Sequence, residues 1–186
     1  ALESLQKGEV DAASSVYQSP KRSERFLFSN PYLRLPAAII ARREGSAIAQ
    51  LSDLRGRKIA VVEAHVWREL LSEAGYVDEQ QPVSSVTAGL QAVADGQADA
   101  YVGDLLTADR AMRAVGLDKV LMVTGQSGLE AQIGFAIRRD LPQLKVALDQ
   151  ALAKISVTDE VALRTRWEGA SPPPELIAEA QVADSR

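Results

Sequence analysis

Leu90-Gln-Ala-Val-Ala-Asp-Gly96-Gln-Ala-Asp99-Ala100 decides the reading of this chain, because an earlier copy of it exists. That copy is Leu2-Glu-Ser-Leu-Gln-Lys-Gly8-Glu-Val-Asp11-Ala12. Gly8 and Gly96 are 88 positions apart, and so are Asp11 and Asp99. Each copy reads as a helix, a glycine stop and an Asp-Ala pair that opens a strand. Any α/β protein can offer such a turn; its return in this form points to two similar lobes. The copies differ in what precedes them. Ahead of the second lie a strand over 58–62, a helix over 66–74 and a strand over 83–86. Ahead of the first lies nothing comparable, so its lobe is expected to lack an opening strand–helix–strand and the chain to start in mid-lobe. The opening Ala1-Leu-Glu-Ser4 is neither a start methionine nor a signal peptide and reads as a cut edge.

Outward from the repeat, apolar periodicity alternates between extended and helical stretches. Residues 10–16 read as a small-residue strand, and 17–35, punctuated by prolines such as Pro20 and Pro31, as loop-rich. Ala37–Ala41 and Lys58–Val62 are strands of the buried type. A helix over 66–74 stops at Gly75, and Thr87 is taken as the N-cap of a helix reaching Asp95. A strand over 99–103 leads into a helix opened by Asp104. Strands follow at 119–123 and 132–138, then amphipathic helices at 142–155 and 158–167. Ser171-Pro-Pro-Pro174 breaks the chain before a short helix or tail. Strands alternating with helices predict an α/β fold with a largely parallel sheet. The strands 37–41 and 132–138 flank the middle third, and each carries the chain between lobes as a hinge. The division is then 1–39 for the truncated first part of lobe 1, 40–138 for lobe 2, 139–170 for the return to lobe 1 and 171–186 for a tail or connector.

Composition narrows the function. A chain of 186 residues, 46% of them hydrophobic, buries a core without disulfide or metal staples. Aromatics are only 5%, so that core is aliphatic. A net charge of −4 argues against nucleic acid. No apolar run is long enough to span a membrane. With no cysteine and one histidine, neither thiol catalysis, a zinc site nor a Ser-His-Asp device is expected. No metal, cofactor or enzymatic activity is predicted.

Four stretches, in this order, resemble the type II periplasmic solute-binding proteins of family 3, which includes polar amino-acid binders. They are Ser19-Pro-Lys-Arg22 with Phe28-Ser-Asn-Pro-Tyr32, Leu51-Ser-Asp-Leu-Arg-Gly-Arg-Lys-Ile-Ala-Val61, Gly96-Gln-Ala-Asp-Ala-Tyr-Val-Gly-Asp104 and Gly134-Phe-Ala-Ile-Arg-Arg-Asp140. Within that family, Asp99–Leu105, Phe135–Pro142, Ala153-Lys-Ile-Ser156 and Arg164-Thr-Arg-Trp167 look like the venus-flytrap sensor domains of hybrid histidine kinases of the virulence-sensor type. The resemblance covers about residues 1–168. It implies a periplasmic-binding-protein-like II fold, a two-lobe flytrap with a hinge of two crossover strands. It also implies a periplasmic location, a small solute such as an amino acid or carboxylate, and a membrane-linked signalling module or a transporter as partner. A homodimer is left open, and a dehydratase-like enzyme on the same fold, with Glu63, His65 and Asp104 as its acid–base candidates, is the less favoured alternative.

The resemblance also names site residues. Arg22 matches the family's carboxylate clamp, where a guanidinium fork makes two parallel charge-assisted bonds, and Ser19 adds a hydroxyl. On composition alone Arg22 is a loop arginine beside Lys21 and Arg25. Asp104 matches the ammonium acceptor; its plain alternative is a helix N-cap. The chain departs from the family after strand 58–62, where Glu63-Ala-His-Val-Trp67 replaces a Gly-Thr-Thr-like anion turn. Glu63 brings an acid there. His65 reads as an anion donor or pH sensor, or else a cap or surface residue. Trp67 reads as packing or as a stacking face for solute, and Tyr17 as a cleft wall. Phe28, Pro31 and Tyr32 read as lobe 1 core and turn, and Trp167 as a packing anchor. Arg42-Arg-Glu44 and Arg138-Arg-Asp140 read as solvated ion pairs worth little each, or as fixers of the hinge angle.

Overall fold

The apolar runs become neighbouring strands of one seven-stranded sheet in a computed structural model that describes residues 1–44, 47–63 and 65–168. Across the sheet lie β1 (Ala12–Tyr17), β7 (Leu121–Ile137), β3 (Leu33–Arg42), β6 (Ala100–Asp104), β4 (Ile59–Val62) and β5 (Gln80–Val83), while β2 (Leu27–Phe28) also pairs with β7. The expected largely parallel sheet is found at one end only. β4 runs parallel to β5 and β6. There the crossover helices α3 (Val66–Glu73) and α4 (Val86–Ala94) carry the chain back so that β5 and β6 run the same way as β4, one on each side of it. Every other pairing is antiparallel, because β3 and β7 run the length of the molecule in opposite directions and β1 and β2 lie against β7.

β7 is a single strand of 17 residues rather than two short ones. Its middle, Thr124-Gly-Gln-Ser-Gly128, has loop composition, yet β3 holds it. The β3–β7 register shifts between Pro36 and Ala38 and again between Ile39 and Ile40. At those irregularities the polar side chains stand in for the ladder. Ser127 Oγ donates to the Ala37 carbonyl at 3.1 Å, and Thr124 Oγ1 to that of Ile39 at 3.4 Å.

Both copies of the repeat take the predicted form. Helix α1 (Leu2–Gln6) ends before Gly8 and α4 before Gly96, and both glycines sit at φ 74°, a conformation that side chains resist. The N-cap of α4 is Ser85, not Thr87. Ser85 is the last extended residue, and its hydroxyl accepts the Ala88 N–H at 3.1 Å.

The core is uneven. One face of the β3–β6–β4 region packs Leu54, Ile59, Val61, Trp67 and Leu71; the other packs Ile40, Ala60, Leu90, Val93 and Tyr101. The opposite end has a small cluster of Leu5, Ala13, Val16, Phe26 and Ala136. Helix α5 (Leu105–Ala114) follows β6, and α6 (Pro142–Leu152) and α7 (Val157–Glu168) follow β7. The two arginine clusters mostly grip backbone instead of forming free surface pairs. Arg42 donates to the carbonyls of Val93 and Ala98, Arg43 to Asp118, and Arg139 to Ser23 and Glu24. Arg138 does pair with carboxylates, those of Asp11 and Asp140. No helix among the described residues is long and apolar enough to cross a membrane. The break at 171–174, the tail and the side chain of Trp167 lie outside the described residues.

Candidate functional site

The site begins with an irregularity in β1. Its register against β7 shifts between Ala13 and Val16, and Ser15 takes φ 56°. The Ser15 N–H, turned out of the ladder, donates to the Tyr32 hydroxyl at 2.8 Å. A bulge of this kind re-aims the residues that follow it. Val16 is buried and Tyr17 half-buried. Beyond the strand, Ser19 is extended and accepts the Arg22 N–H at 3.4 Å, starting the short helix α2 (Pro20–Ser23) with Pro20 at its first position. That turn folds Arg22 back, so its Nη1 donates to the Tyr17 carbonyl at 2.9 Å.

The facing groups come from the other end of the sheet. β4 ends at Val62, and His65 is the extended residue ahead of α3. The His65 ring meets the Tyr17 ring edge-on, centroids 4.8 Å apart, and lies nearly parallel to Trp67 at 6.3 Å. β6 ends at Asp104, which is buried and caps α5 by accepting the Thr107 N–H at 2.9 Å.

The electrostatics tie these groups together. Burial pushes the Tyr17 hydroxyl up, the Asp104 carboxylate adds to this, and Arg22 opposes it. Burial pushes the His65 imidazole down, Asp104 pulls it back up, and Arg22 lowers it further. Tyr101 is also pushed up, by burial first and by Asp104 second. Arg22 and Asp104 thus act on the same two rings, although they belong to opposite ends of the sheet. His65 Nδ1, Trp67 Nε1 and one oxygen of Glu69 are buried with no hydrogen-bond partner.

The structure therefore brings Tyr17, Ser19, Arg22, His65 and Asp104 into one neighbourhood. Glu63 is mostly exposed, 4.0 Å from Arg68. Trp67 is 2% exposed and belongs to the larger core, which leaves its ring no open face for stacking a solute. Ala64, between Glu63 and His65, lies outside the described residues. Two participants were not legible as such. Glu69 stands 4.0 Å from Arg22 Nη2, but an acid in the first turn of a helix reads only as a partner for the helix dipole. Tyr32 reads as a turn residue, because its target is a distortion of the distant β1.

The comparisons with known proteins agree with this architecture. The chain is 29% identical over 170 residues to the virulence sensor protein BvgS of Bordetella bronchiseptica, covering 91% of this chain and 14% of that protein. It therefore spans only a small part of that relative's length. It is 25% identical over 169 residues to the putative amino-acid ABC transporter-binding protein PatH of Vibrio harveyi, covering 89% of this chain and 68% of the other. A solved histidine kinase sensor domain with similarity to periplasmic binding proteins superposes with a TM-score of 0.76 at 28% identity, over 92% of this chain and 75% of that one. The fold is thus periplasmic-binding-protein-like, with β3 and β7 as the two strands that cross between its lobes. The model for bacterial extracellular solute-binding proteins, family 3, matches residues 1–170, and the chain belongs to that family.

Proposed function

We propose that this chain is a periplasmic flytrap sensor domain. It binds an amino acid or similar small anionic solute between its lobes, and closure signals to a linked transmembrane kinase or similar module, as one copy or as a homodimer. Residues 1–39 and 139–170 form lobe 1 and 40–138 form lobe 2, with 171–186 as a tail or connector. The observation that carries the proposal is the meeting of Arg22 and Asp104 at Tyr17 and His65. A cation from one lobe and an anion from the other, both acting on the same two half-buried rings, match the two ends of an α-amino acid. Only the solute's preference for the closed form is available to drive the signal.

Calorimetry with the L-amino acids and small carboxylates tests this. Arg22→Ala and Asp104→Ala should each weaken binding by about 2–4 kcal/mol, the cost of leaving a desolvated charge unpaired. Unchanged affinity in both variants would sink the assignment.

The transporter-binding relative favours a second reading, a free carrier that delivers solute to a membrane transporter. Fusion to the receiver module separates the two, since only a sensor alters that module's output on binding. Turnover is not proposed. Glu63 is mostly exposed and lies beside Arg68, and the family that the chain belongs to is one of solute-binding proteins.

A further inference from the structure

Arg22 has two terminal nitrogens, and each already has an employment. Nη1 holds the Tyr17 carbonyl of its own lobe at 2.9 Å. Nη2 lies 4.0 Å from Oε1 of Glu69, which α3 carries in from the opposite lobe. The two side chains are 20% and 31% exposed, so the pair is mostly withdrawn from water. The second oxygen of Glu69 is buried and accepts no hydrogen bond. Arg22 is the one cation within ion-pair reach of Glu69 among the described residues. A carboxylate within ion-pair reach of this guanidinium competes with any solute carboxylate that Arg22 clamps. At 4.0 Å the contact is at the outer limit of an ion pair and is loose enough to be opened.

We infer that Glu69 is a specificity-determining residue of the cleft, an internal carboxylate that engages Arg22 in the solute's place. The inference rests on Arg22 being the solute-facing clamp. It has two consequences. The lobes are drawn together without solute, because Glu69 supplies the bridging charge. A solute must also displace Glu69 and leave two carboxylates beside one guanidinium. Simple monocarboxylates are thereby disfavoured, and solutes with a cation beside the carboxylate lose least.

The chain has no cysteine, so labels at Glu24→Cys and Val77→Cys report the distance between lobes in the full chain. Glu69→Gln should lengthen and broaden that distance without solute. Arg22→Glu should do so more strongly, and the swap Arg22→Glu with Glu69→Arg should restore it. Propionate and L-alanine then serve as probes that differ by one ammonium group. Glu69→Gln should tighten propionate binding by roughly tenfold, as a competing charge is removed, and L-alanine binding by less. An unchanged lobe distance, or no gain in propionate binding, overturns the inference. If Glu69→Gln gains propionate affinity and adding Arg22→Ala does not remove the gain, the clamp itself is wrong. If Arg22→Ala weakens solute binding while Glu69→Gln changes nothing, the clamp stands and Glu69 has no part in selection.

Discussion

The two copies of the helix–glycine–strand unit share a backbone and differ in how far they are enclosed. Gly8 and Gly96 have the same φ. Ala12 pairs with Ile137 and Ala100 with Ala41, each on a strand that crosses between lobes, and each crossing strand is followed at once by an arginine. In the second copy, β6 has a partner strand on both edges and all five of its residues are buried. In the first, β1 pairs with β7 alone among the described residues, and its middle is exposed. Leu90 and Val93 of α4 are fully buried, whereas α1 buries only Leu5. The turn is therefore set locally, by a glycine and an Asp-Ala strand start, while stability depends on what encloses the strand.

Core truncation should show the largest difference. Trp67→Ala empties a densely surrounded site in the larger core and should cost about 3–5 kcal/mol in urea unfolding. Phe26→Ala strikes a cluster of five buried residues beside open surface, where neighbours can collapse inward, and should cost distinctly less. Equal losses would break the comparison, because they would mean the small cluster is as rigidly enclosed as the large one.

The paired arginines give a smaller effect that sharpens it. Half-buried Arg42 donates to the Val93 carbonyl at 2.6 Å and to that of Ala98 at 3.2 Å, tying the end of α4 to the strand start. Arg42→Ala leaves both carbonyls without this donor and should cost about 1–3 kcal/mol by the same measurement. Arg138 holds the same place beside Gly8 but pairs with the exposed carboxylates of Asp11 and Asp140. Arg138→Ala should be barely measurable, and what little is lost should vanish at high salt. A loss equal to that at Arg42 would show that the pair is shielded from solvent.

The same contrast explains what the sequence could tell. Repeat, element order and hinge strands are local patterns and were legible in residues such as Gly96 and Asp99. The extent of β7 was not. Thr124-Gly-Gln-Ser-Gly128 has the composition of a loop, and it becomes strand because Ala37 and Ile39 of β3 offer it carbonyls from some ninety residues away. The antiparallel majority was hidden for a related reason: element order reveals crossover helices but not which strands lie beside a hinge strand. At the site, the family motifs led to Arg22 and Asp104. Glu69 stayed out of view because its meaning depends on a residue 47 positions earlier, across the cleft.

His65 lies where the two regions touch, so its titration reports on that contact with the smallest effect expected here. Burial holds the imidazole below its usual 6.5; Asp104 opposes this and Arg22 adds to it. The unfolded chain, whose histidine titrates near 6.5, therefore takes up its proton first as pH falls. Between the two values unfolding binds a proton, so stability is fully present above pH 6.5 and declines below it towards the folded value. Thermal melts from about pH 8 down to about pH 5 should show this decline on top of the carboxylate background. The protein has one histidine, so His65→Gln should flatten the curve near 6.5 and leave the background in place. Opening the lobes with Arg22→Glu should flatten it too, because a solvated ring titrates alike in both states. A curve unchanged by His65→Gln would mean that the imidazole is already in water, and that Tyr17 and His65 are not held together in solution.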